Sequence, residues 1–177
     1  CTALANIYQR SVDYCYMAFR DRAIMEVMLR LQHLNNVEIH RQAIRTLSIL
    51  CAAITIDNEI MYEHAQERDP RITLALSACF DVFVTELNNP HQLVRRMALE
   101  GLQALATDEK LSIQIVDKAL KTVMSIVLNP GDDADVRAAG SRILVSLGFV
   151  NGTDDLALTG NDYNLLVDWF YFERSLK

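Results

Sequence analysis

Apolar residues recur at one helical spacing in three separate stretches of the chain, which begin at Ile39, Val94 and Val136. Each stretch starts with a β-branched residue, has a small residue four positions later, and has leucines eight and eleven positions later. These intervals place the residues on one face of an α-helix. The pattern therefore predicts three helices with the same buried face.

The small residues at the matched position are Ala43, Ala98 and Gly140. A glycine inside a helix costs about 1 kcal/mol relative to alanine, so Gly140 indicates a crowded helix contact. Two helix axes can approach closely only where a side chain is nearly absent. We expect the three positions to make equivalent close contacts between layers of helices.

Each matched helix follows another apolar helical stretch that ends in Leu-Asn. The three pairs are Leu34-Asn35, Leu87-Asn88 and Leu128-Asn129. Shorter amphipathic stretches at 57–66 and 108–117 precede the second and third helix pairs, which predicts a unit of one short and two long helices. Asp69-Pro70 and Asn89-Pro90 each predict a capped helix start with proline in the first position.

At this point the chain resembles the armadillo-repeat family, with HEAT repeats as its near neighbour. The stretches from Val94 and Val136 are spaced within the roughly 40 to 47 residues typical of such units. The resemblance implies an all-α, right-handed α-solenoid with about three units at 20–150. Residues 1–19 and 151–177 are interpreted as partial or capping helices of the same single domain, 1–177.

Armadillo proteins that bind extended peptides resemble one another in an Asn just before the last Leu of the third helix. The corresponding residues here are Ile49, Ala104 and Ser146. The resemblance therefore does not extend to a peptide grip based on asparagine. The armadillo and HEAT alternatives both stay open.

Composition narrows the function classes further. The 177 residues suit one domain, and the start at Cys1 rather than Met suggests a segment of a larger protein. A net charge of −6 argues against a nucleic-acid binder, and no apolar run reaches the roughly 18 residues of a membrane span. The four cysteines form no paired pattern, which predicts reduced thiols in an intracellular, cytoplasmic protein.

Catalytic motifs are not visible in the sequence. There is no glycine-rich phosphate loop, nucleophile elbow or zinc-ligand spacing, so we predict a protein that is not an enzyme and uses no cofactor. The acidic group Asp132, Asp133 and Asp135 lacks the spacing of a calcium loop and is interpreted as the start of a helix.

Basic residues recur on the polar face of the matched helices. They are Arg41, Arg45, Arg95, Arg96, Arg137 and Arg142. In armadillo-like solenoids the third helix lines the concave groove, so the resemblance implies a broken basic stripe that binds an acidic or phosphorylated peptide. The alternative is a solvated face with local ion pairs, such as Arg96 with Glu100.

The C-terminal segment is rich in aromatic residues, including Trp169 and Phe172. These residues either cap the open end of the solenoid or bind a partner or a second copy of the chain. The sequence as a whole predicts a protein-protein interaction scaffold or adaptor that binds its partner along the concave groove. The alternative is a regulatory or substrate-presenting domain of a larger enzyme or complex.

Overall fold

The computed structural model describes residues 11–21, 36–61 and 69–148, together with Asn6, Glu26, Leu29 and Arg30. The main helices of this part are α1 (Val12–Arg20), α2 (Val37–Met61), α3 (Pro70–Glu86), α4 (Gln92–Leu105), α5 (Glu109–Lys118), α6 (Leu120–Leu128) and α7 (Ala134–Ser146). No strand occurs among the described residues. The predicted all-α class is confirmed.

Aspartate side chains begin three of these helices. Asp69 accepts a hydrogen bond from the backbone of Arg71 ahead of α3, as the Asp-Pro pair predicts. Asp108 and Asp133 cap α5 and α7 in the same way. A cap of this kind contributes about 0.5–2 kcal/mol, so these carboxylates fix where the chain turns between helices.

Two helix boundaries differ from the sequence prediction. Helix α2 continues through residue 57, where a separate short helix was expected, because no proline or glycine interrupts residues 37–61. Helix α4 begins at Gln92 with His91 before it, so Pro90 does not occupy the first helical position. Asn89 instead accepts a hydrogen bond from the backbone of His91, which closes a turn ahead of the helix.

The matched helices α2, α4 and α7 pack side by side in chain order. Helix α4 has its most extensive contact with α2 and its next most extensive with α7. Behind them, α3 packs against α4 and α6 packs against α7, so each of these two matched helices forms a pair with the helix before it. This arrangement places the polar faces of α2 and α4 next to each other.

The matched small residues lie in the core, as predicted. Ala43 and Ala98 are fully buried and Gly140 is buried too. A Cβ at Gly140 would lie 2.7 Å from Val127 of α6. The crowding at Gly140 therefore arises between the paired helices of one unit, and the expectation of a close contact between layers is wrong at this position. The equivalent crowding in the preceding pair is at Gly101, where a Cβ would lie 2.4 Å from the ring of Phe83. The repeat pattern did not indicate this second position.

The buried apolar cluster runs through every helix from α1 to α7 and contains three free cysteines, Cys15, Cys51 and Cys79. Burial raises the pKa of Cys15 to about 11. Burial also raises the pKa of Cys51, and a side-chain hydrogen bond with Cys79 acts in the same direction. Cys15 and Cys51 are thus held as protonated thiols inside the core.

Native Cys15, Cys51 and Cys79 are expected to resist alkylation at pH 8, because all three side chains are fully buried and the reagent cannot reach them. Iodoacetamide labelling followed by peptide mass spectrometry measures this directly. Guanidinium should make all three react within minutes. Fast labelling of Cys51 in the folded protein would contradict the described packing.

None of the helices in the described residues combines the length and the apolar character that crossing a membrane requires.

Candidate partner-binding groove

A groove of about 420 Å³ lies between α2 and α4. Its lining consists of Arg41, Arg45, Ser48, Ile49, Leu93, Arg96, Met97 and Glu100. We call this site the α2–α4 groove. It combines three guanidinium groups, one carboxylate and three apolar side chains, a mixture suited to a segment with both apolar and charged residues.

The helical repeat explains why these side chains meet. Arg41 and Arg96 occupy equivalent positions two residues after the start of their matched stretches. Arg45 and Glu100 are likewise equivalent, one helical turn further on. Because α2 and α4 pack against each other, Arg41 and Arg45 of α2 line the same groove as Arg96 and Glu100 of α4.

Arg41 forms an ion pair within its own helix. Its guanidinium donates to both carboxylate oxygens of Glu38, at 3.0 Å and 2.7 Å. The hydrogen bond from Arg41, followed by the one from Gln42, lowers the pKa of Glu38. The hydrogen bond with Glu38 in turn raises the pKa of Arg41. The charge of Arg41 is thus locally compensated.

Arg96 is compensated by two carboxylates. Its Nε donates to Glu100 at 3.0 Å, which is the ion pair expected from their spacing. Its Nη1 donates to Asp135 at the start of α7, at 2.7 Å. The hydrogen bond with Glu100 is the main reason that the pKa of Arg96 is raised. Arg96 therefore lines the groove, and its guanidinium is paired with Glu100 in the groove and with Asp135 at the start of α7.

Arg45 differs from its neighbours in the groove. It is partly exposed, and none of the hydrogen bonds and ion pairs of the described residues involves its side chain. An uncompensated guanidinium presents five N–H donors and a full charge to an incoming group. Arg45 is thus the strongest candidate in the groove for pairing with an anion of a partner.

Arg95 does not line the groove, although the stripe prediction included it. Its guanidinium donates to Asp132 in the turn before α7 and to the backbone carbonyls of Asn89 and Pro90. Its side chain is 13% exposed and that of Asp132 is 9% exposed. Arg95 therefore ties two inter-helix turns together.

His40 occupies the position equivalent to Arg95 in α2. Its Nε2 lies 3.1 Å from Oε1 of Glu86 at the end of α3, without the alignment of a hydrogen bond. His40 of α2 thus contacts a carboxylate close to the turn between α3 and α4. Arg95 of α4 contacts a carboxylate in the turn between α6 and α7. These two contacts link successive parts of the chain in the same way.

Arg137 and Arg142 lie on α7, away from the α2–α4 groove. Arg142 donates to the side-chain carbonyl of Gln103 at 3.2 Å, while the Nε of Arg137 is buried without a hydrogen-bond partner. Together with Arg96 and Asp135, the Arg142 contact bridges α4 to α7. No ion pair within the described ranges bridges α2 to α4 in this way.

The apolar part of the groove was not identified from the sequence. Leu93 is 52% exposed at the start of α4, and Met97 and Ile49 are partly buried beside it. The helical period places Met97 at the edge of the buried face, and the sequence pattern alone does not single it out as part of a groove. These three apolar side chains share the groove with the uncompensated guanidinium of Arg45.

Trp169 and Phe172 lie outside the described residues, so their predicted role stays a prediction. No protein-family model matches the chain, and no match is found among curated proteins or solved structures.

Proposed function

We propose that this chain is an α-solenoid of armadillo- or HEAT-like units that serves as a non-enzymatic protein-protein interaction scaffold. The side-by-side packing of the matched helices α2, α4 and α7 in chain order supports the solenoid arrangement. Such arrays expose extended surfaces that bind other proteins. The partner binds along the polar faces of the matched helices.

The observation that carries this proposal is the α2–α4 groove. It places the exposed Leu93, the partly buried Met97 and the uncompensated Arg45 within one concave surface. Binding sites in proteins are concave and combine apolar side chains with polar groups that fix the orientation of the bound partner. Of the residues in the predicted stripe, Arg41, Arg45 and Arg96 line this groove.

Leu93→Glu is expected to abolish partner binding, because it places a carboxylate in the apolar part of the groove. The immobilised protein would be incubated with cell extract and the bound proteins quantified by mass spectrometry. Leu74→Glu is the matched control, since Leu74 is 70% exposed on α3 and does not line the groove. Circular dichroism would establish that both variants fold.

The proposal expects a set of proteins that Leu74→Glu retains and Leu93→Glu loses by at least about tenfold. If Leu93→Glu captures the same proteins as the parent chain, the α2–α4 groove is not the binding surface.

A further inference from the structure

We infer that the segment bound in the α2–α4 groove is an amphipathic α-helix that presents a single carboxylate to Arg45. This inference rests on the proposed interaction function and specifies the partner. It is drawn from the hydrogen-bonding capacity of the groove, from its charge balance and from the position of its apolar side chains.

The groove offers few regularly spaced hydrogen-bond partners for the backbone of an extended peptide. An extended segment needs hydrogen-bond partners at regular intervals along its length, and a buried peptide group left without one costs about 1–3 kcal/mol in other proteins. Of its lining residues, Ile49, Leu93 and Met97 offer no such partner apart from a weakly accepting thioether, and Ser48 contributes a single hydroxyl. A helix satisfies its own backbone and requires only side-chain contacts.

The charge balance favours one carboxylate over a phosphate group. Arg41 and Arg96 are already paired, with Glu38 on one side and with Glu100 and Asp135 on the other. A phosphate with nearly two negative charges would have to displace these carboxylates or lie close to them, which adds repulsion. Arg45 alone is free to form a bidentate pair, and one carboxylate matches one guanidinium.

The apolar contacts fit the same occupant. Leu93 and Met97 are separated by one helical turn on α4, and Ile49 faces them from α2. A partner helix with apolar residues at i and i+3 or i+4 can cover all three side chains with one face. Its acidic residue then lies at the edge of that face, where Arg45 extends from α2.

The inference can be tested by selecting ligands from two peptide-display libraries. In the first, residues on the exposed face of a rigid single-helix scaffold are randomised. The second consists of unstructured linear peptides of equal length. Selected sequences would be synthesised and their affinities measured by fluorescence anisotropy for the parent chain, Arg45→Glu, Leu93→Glu and the control Leu74→Glu.

The helical library is expected to yield ligands that share one Glu or Asp beside two or three apolar residues. Arg45→Glu should weaken them about tenfold to a hundredfold, and a Lys in place of the ligand's acidic residue should restore binding to that variant. Replacing the acidic residue with phosphoserine should not strengthen binding to the parent chain.

The contrary outcomes separate the inference from the function on which it rests. Ligands that come only from the linear library, or that bind at least tenfold more tightly with phosphoserine, would overturn the helical carboxylate partner. If these ligands lose affinity with Leu93→Glu, the groove remains the binding site. Should no ligand from either library be sensitive to Leu93→Glu or Arg45→Glu, both the inference and the groove are wrong.

Discussion

Gly101→Val is expected to lower the free energy of unfolding by about 3 kcal/mol, at the upper end of the usual cost of overpacking a core. The cause is the ring of Phe83, whose Cζ lies 2.4 Å from the position that a Cβ would occupy. Phe83 is fully buried between α3 and α4 and has little room to move aside. Chemical denaturation followed by circular dichroism gives the unfolding free energy directly.

Three further variants make this prediction specific. Ala138→Val places the same side chain at an exposed position of α7 and should cost under about 1 kcal/mol, the usual effect of helix propensity. Phe83→Ala alone should cost about 3–5 kcal/mol, and adding Gly101→Val should recover part of that loss by filling the cavity. Strictly additive losses in the double variant would show that these residues are not in contact.

Arg95→Met is expected to cost about 3 kcal/mol of stability, because it leaves the carboxylate of Asp132 buried with Asn129 as its remaining side-chain donor among the described residues. Removing one partner of a buried ion pair is more damaging than removing both. The double variant Arg95→Met/Asp132→Leu should therefore be more stable than Arg95→Met alone. Thermal and urea unfolding of the single and double variants measure this coupling.

Arg41→Met is the matched control for that pair. It removes an arginine from an ion pair whose partner, Glu38, is exposed to solvent, and such pairs contribute little to stability. The unfolding free energy should hardly change. Equal losses for Arg41→Met and Arg95→Met would mean that the burial of the Arg95 pair has no energetic importance.

The helical part of the fold was predictable because it depends on local patterns. The apolar period identified α5 and the matched face of α4, and together with Asp69 and Asp133 it identified α3 and α7, because these signals are read from neighbouring residues. The cap that Asp108 provides for α5 was not predicted. The internal spacing also indicated that Gly140 is crowded, since a helical glycine otherwise has no advantage.

Contacts between distant parts of the chain were not predictable in this way. Arg95 and Arg96 are adjacent and chemically alike, yet Arg95 binds Asp132 across the turns while Arg96 faces the groove. The sequence also did not indicate that Arg45 lacks an ion-pair partner while Arg41 has one, because both are basic residues on one helical face. Gly101 was missed since its crowding depends on Phe83, which lies on a different helix.

The contact between Arg95 and Asp132 also bears on how the molecule loses its structure. If α6 and α7 detached together, Asp132 would move away with them, and Arg95 of α4 would lose the partner of its ion pair. His40 and Glu86 approach each other at the equivalent place one step earlier in the chain, without the alignment of a hydrogen bond. Separate unfolding of α6 and α7 is thereby disfavoured, and the described helices should unfold in one transition.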